Sequence, residues 1–247
     1  MIYRPRLVTL LGLSLSLAVS GTAMAANSFS KNPNPSAQPF GGSEFLPPGP
    51  ATITQSTNTS TITVGNSVSC NAGGLHTDNS YFRAFTLSAF NPPLDQLQFL
   101  IQNVTFGIEQ ATSTAATQPI TVRLFDSSAN PPTNATIGAA ISTQAIALAP
   151  QAGTIFSQNL TVQPVLLNAS DILAVEVFTP NGQTAGNGFF IGSNALGQSG
   201  PSFIRAADCG LADIGNLAGI GFPNMHIVMT VSGNNQAPVE LQTFEIR

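Results

Sequence analysis

Apolar and polar residues alternate along most of this chain from about residue 61 onward. Ile62 and Val64 alternate with threonines. From Tyr81 to Leu87, Tyr81, Arg83, Phe85 and Leu87 take one face, and Phe82, Ala84 and Thr86 take the other. Period two is the mark of a β-strand with one side wet. Between Leu97 and Ile108 the pattern changes phase. Leu97, Phe99 and Ile101 share one phase, and Val104, Phe106 and Ile108 share the other. That switch predicts a bulge at Gln102-Asn103.

Ile120, Val122 and Leu124 oppose Thr121 and Arg123 in a half-buried strand. Leu173, Val175 and Val177 form another, with Glu176 expected on the wet face. Weaker runs at 136–148 and 154–167 read as strands, as do 189–191, 203–205, 227–231 and 239–246. Pro131-Pro132 and Asn181-Gly182 mark turns. The Ala-rich stretches near 111–116 and 139–149 lack the apolar stripe of a helix. About ten short strands between Gly, Pro and Asn turns predict an all-β fold, an antiparallel β-sandwich of jelly-roll-like type.

The first 60 residues differ. Arg4 and Arg6 precede an apolar run from Leu7 to Val19, and Ala23-Met24-Ala25 closes it with small residues. This is the layout of a secretory signal over 1–25. The run is roughly 13 residues long, short of the roughly 20 a transmembrane helix needs. Residues 26–60 carry Asn-Pro-Asn-Pro, Gly-Gly and Pro-Pro-Gly-Pro, which read as a flexible leader. Within it, Ala51 to Thr54 alternates enough to begin a strand. The expected organisation is signal 1–25, leader 26–60, sandwich 61–233 and a C-terminal strand or tail 234–247. The product is expected to be secreted or periplasmic, with no membrane insertion after signal cleavage.

Charge narrows the partners. Only 7% of residues are charged, and the formal net charge is −4. Without basic clusters, nothing replaces the counterions of a phosphate backbone, so no nucleic acid partner is expected. The polar surface must be mostly Asn, Gln, Ser and Thr. Such surfaces are common on exported β proteins, and the expected partner is a polysaccharide or a cell-surface component.

Cys70 and Cys209 are the two cysteines. Export exposes them to oxidising conditions, so a disulfide is expected. It brings together two polar stretches. Asp78 and Asn79 lie near one end, and Asp208 and Asp213 near the other. These four supply oxygens of the kind calcium takes, though in no calcium-loop spacing. They are equally suited to capping turns. His76 and His226 are the candidates for a hydrolase, with a neighbouring acid and serine. Gly197-Gln198-Ser199-Gly200-Pro201 fails as a nucleophile elbow, because Pro201 stands where Gly is required. The segment from Phe189 to Pro201 is rich in small and amide residues. It suits sugar binding beside an exposed Phe, or simply a tight connection.

Ser80-Tyr81-Phe82-Arg83-Ala84-Phe85, Phe106-Gly107-Ile108-Glu109, Val175 to Pro180, Phe189 to Pro201, Ala207-Asp208-Cys209-Gly210 and Gly221 to His226 together resemble a β-sandwich module of large bacterial exoproteins. The resemblance spans roughly 61–233. It implies a bacterial, non-catalytic exported domain and transfers no binding residue. Ala237 to Phe244 resembles the strand that precedes sorting tails in bacterial secreted proteins. The leading expectation is a secreted structural or adhesive protein that binds glycans or extracellular matrix. Its alternatives are an extracellular hydrolase using His76 or His226, and a calcium-stabilised accessory module.

Overall fold

A computed structural model describes residues 49–90, 98–166 and 171–236. The signal over 1–25, most of the leader and the strand expected at 239–246 lie outside the described residues. Two six-stranded sheets dominate. The first runs β1 (Gly49–Thr54), β16 (Met229–Gln236), β5 (Gln98–Thr112) and β11 (Gly188–Ile191). β8 (Gln151–Asn159) and β9 (Val165–Leu166) also pair with β5. The second runs β14 (Leu211–Asn216), β13 (Ser202–Ala206), β4 (Asn79–Thr86), β10 (Ile172–Thr179), β6 (Gln118–Ser127) and β7 (Ala140–Leu148). Two short ribbons complete it, β2 (Asn71–Ala72) with β3 (Leu75–His76), and β12 (Ser193–Asn194) with β15 (His226–Ile227). The fold is an antiparallel β-sandwich.

The core forms where the inner faces of the two sheets meet. Val104, Phe106 and Val231 come from the first sheet, and Phe85, Val122 and Val175 from the second. Burial of such side chains supplies most of the drive to fold, about 1.5–3 kcal/mol each. The phase change in β5 is a bulge, as its pattern predicts. The register against β16 slips between Ser232 and Gly233, opposite Asn103 and Ile101.

β1 pairs with β16 along its whole length, in line with the alternation of Ala51 to Thr54. Two features correct the sequence reading. Thr61 to Val64 is not a strand. Instead Ile62 lies across Gly107 and Gly192, where an added Cβ would collide with it. β14 has too many small and polar residues to announce itself.

The second correction is chemical. Glu176 is fully buried, not on a wet face. The outer face of the second sheet carries its own apolar cluster, including Phe82, Phe125, Ala174, Phe203 and Ile214. Glu176 lies within that layer between Arg123 at 2.8 Å and Arg205 at 2.9 Å. Arg123 stands directly opposite it on β6. The two guanidiniums stack over Phe178 and Phe82 respectively. Two charge-assisted bonds offset the desolvation of the carboxylate.

Candidate functional site

The predicted disulfide is present, with Cα atoms of Cys70 and Cys209 5.9 Å apart. Cys70 sits just before the β2–β3 ribbon. Its N–H donates to Asn79 Oδ1 at 2.8 Å, and its carbonyl accepts from Asn79 Nδ2 at 3.0 Å. Asn79 Nδ2 also donates to the Thr77 carbonyl. A fully buried amide therefore shapes this loop from within. Cys209 ends a short 3-10 turn, Ala207–Cys209, between β13 and β14. Gly210 closes that turn at φ 80°, a conformation that favours glycine.

The other expected calcium ligands also serve turns. Asp78 Oδ1 accepts from the Asn181 N–H at 2.6 Å. Asp213 Oδ1 accepts from the N–H groups of Asn134 and Ile214, each at 2.7 Å. Those two donors hold its carboxyl below the usual carboxylate range. Asp208 is exposed on the Cys209 turn. Among the described residues no three His, Cys, Asp or Glu side chains converge.

Both histidines face backbone. His226 Nδ1 accepts from the Gly197 N–H at 3.1 Å, and Nε2 lies 3.2 Å from the Pro223 carbonyl. His76 is buried, with Nε2 2.9 Å from the Pro180 carbonyl. The neutral ring donates there from Nε2, which leaves Nδ1 buried without a protein partner. Burial holds the His76 pKa below its ordinary 6.5, against the pull of the Pro180 and Asn187 carbonyls and the Asp78 carboxylate.

The sign of the pH effect follows. Just below pH 6.5 the unfolded chain takes up a proton on His76 and the folded chain does not. Stability is therefore expected to fall as pH drops below about 6.5. His76→Gln should flatten that part of a melting-temperature profile between pH 7 and 5. An unchanged slope in the variant would refute the assignment.

Beside the disulfide runs a groove of about 350 Å³. Val68, Ile204, Ala206 and Leu211 make its walls, and Ser69 adds a hydroxyl. Ile220 and Phe222 also line it, and they are 42% and 41% exposed. Their loop is held from below. Buried Leu217 is its apolar anchor, and its carbonyl accepts from the Phe222 N–H at 2.9 Å. Gly221 turns the chain at φ 104° and presents Phe222.

The disulfide was expected to join two polar stretches, and the groove beside it is walled mainly by apolar side chains. Ile220 and Phe222 went unrecognised. Two large apolar residues in a loop of Ala, Gly and Asn were the available signal. The 189–201 segment starts within strand β11 rather than in a loop. Phe189 is buried against Tyr81, with ring centroids 6.1 Å apart, and offers no exposed face. Gln198 there is an acceptor for Arg83.

No family model matches the chain, and no curated protein matches it. Among solved structures, similarity is found to the cysteine protease and lectin-like domains of Cwp84, a surface layer associated protein of Clostridium difficile. Identity is 10%, the TM-score is 0.46, and the match covers 66% of this chain. It covers 33% of that one, so this chain spans about a third of its length.

Proposed function

We propose that this chain is an exported adhesive β-sandwich that takes an uncharged glycan in the groove beside Cys70–Cys209. The carrying observation is the groove itself, with Phe222 presented at its edge. A sugar ring has an apolar C–H face and a polar rim. Phe222 and Ile220 offer the first a surface, while Ser69 and backbone groups of the turns meet the second. The signal layout of 1–25 and a cystine bridge both fit an oxidising compartment outside the cytoplasm.

A glycan array probed with protein from Ala26 onward tests this. Wild type is expected to select a family of neutral glycans. Phe222→Ala should weaken that binding about tenfold, equivalent to about 1.4 kcal/mol. Flat signal on every glycan would leave a purely structural role.

A further inference from the structure

The outer face of the first sheet carries a second, different surface. Strand register places eight short polar side chains there in two rows. One row is Thr52, Ser232, Asn103 and Asn159, on β1, β16, β5 and β8 in turn. The other is Thr54, Thr230, Thr105 and Ser157 on the same strands. All eight are exposed or half-buried, while Ile53, Val104 and Val231 between them point into the core. Neighbours stand about 4.8 Å apart across strands and about 6.8 Å apart along them. None of the eight is charged.

The centre of the array is fixed by its own bonds. Asn103 Nδ2 donates to Asn159 Oδ1 at 2.9 Å. Asn103 Oδ1 accepts from Thr105 Oγ1 and from Ser157 Oγ, each at 3.0 Å. The two hydroxyls are themselves 3.0 Å apart. Each hydroxyl has one proton and two lone pairs, so donating to Asn103 leaves it acceptor capacity. The Asn159 amide keeps its two N–H donors, since only its oxygen is used in the bond to Asn103. These side chains hold their rotamers before any ligand arrives, which lowers the entropy cost of binding.

We infer that this Thr/Ser/Asn face is a second subsite, taking an extended chain of a neutral polysaccharide across the strands. The glycan class rests on the proposed function, but the surface and the polymeric form do not depend on the groove. An uncharged lattice of donors and acceptors offers a polyanion no attraction, and it pairs well with repeating hydroxyls. Twist selects a soluble chain over a rigid crystal plane. Across three strand steps a sheet turns by roughly 60–75°, which a flexible polymer follows and a flat lattice does not.

Native gel electrophoresis through gels containing soluble polysaccharides tests the inference. The panel is a mixed-linkage β-glucan, xylan, galactomannan and dextran, with polygalacturonate as the charged comparison. Wild-type mobility is expected to fall with rising concentration of at least one neutral polymer, and not with polygalacturonate. Ser157→Glu should abolish the retardation, as should Thr52→Glu at the edge of the array. Ala145→Glu adds the same charge to an exposed position on β7 of the other sheet, and should keep it. Equal melting temperatures would show that all three variants fold.

Retardation by no neutral polymer, or retardation that both array variants retain, overturns the inference. So does shaping of ice crystals without polymer binding, which would assign the face to ordered water. Failure of the groove reading looks different. There Phe222→Ala leaves the glycan-array signal unchanged, while the gel result stands on its own.

Discussion

Arg83→Leu is expected to lower unfolding free energy by about 3–5 kcal/mol, through the combined loss of its charge-assisted hydrogen bonds. Arg83 is fully buried on β4, yet no carboxylate among the described residues pairs with it. Its partners are neutral oxygens. Nε donates to the Ile227 carbonyl at 3.0 Å, and Nη2 donates to the same oxygen. Nη1 donates to Gln198 Oε1 at 2.8 Å and to the Gly200 carbonyl at 2.7 Å. One guanidinium therefore ties β4 to β15 and to the loop leading into β13. Burial pulls its pKa down to about 9, so it stays charged at neutral pH.

Leucine would remove charge-assisted bonds to three acceptors, each worth about 1.5–3 kcal/mol, although Ser56 Oγ still donates to the Ile227 carbonyl and Ser202 Oγ to Gln198 Oε1. Lysine should rescue little, because a point charge cannot reproduce a planar fork. Gln198→Leu removes only one partner and should cost about 1 kcal/mol. Urea unfolding with unchanged m-values is the measurement. A leucine variant within 1 kcal/mol of wild type would remove Arg83 from its place as a tie.

Arg83 and Glu176 also show where sequence reading stops. Alternation located the longer strands, the bulge at Gln102-Asn103 and the core faces of β6 and β10, because those features depend on period alone. It placed Tyr81, Arg83 and Phe85 on one face, and all three are buried. It also implied that the opposite face of β10 meets water. That failed because the segment holding Ile137, together with Ile214 of the edge strand β14, completes a second apolar cluster on the outer face. Partners of that layer come from distant segments, and no local pattern announces them. The polar array on the first sheet was hidden for the same reason. Thr, Ser and Asn at single positions look like ordinary wet-face residues. Only the register of four strands, drawn from both ends and the middle of the chain, puts them in rows.

Replacing Cys70 and Cys209 together with serine is expected to cost about 4 kcal/mol and lower the melting temperature by roughly 8–16 °C. The bridge spans 139 residues. Chain entropy alone assigns such a loop about 5 kcal/mol, and residual structure in the unfolded chain reduces that. The two ends should respond differently. Around Cys70, the Asn79 bonds and the Thr77 N–H to Cys70 carbonyl bond do not need the sulfur, so that loop should keep its shape. The Ala207–Cys209 turn is exposed, with no buried residue of its own, and the bridge is its link to the Cys70 loop. Loss of the bridge should therefore open the groove from the Cys209 side. Dithiothreitol should lower the melting temperature of wild type and leave the serine pair unchanged. Hydrogen exchange should rise over 207–211 more than over 70–79. If exchange rises equally at both ends, the bridge acts only on the unfolded chain. If glycan binding then also survives in the serine pair, the groove does not depend on the disulfide that led to it.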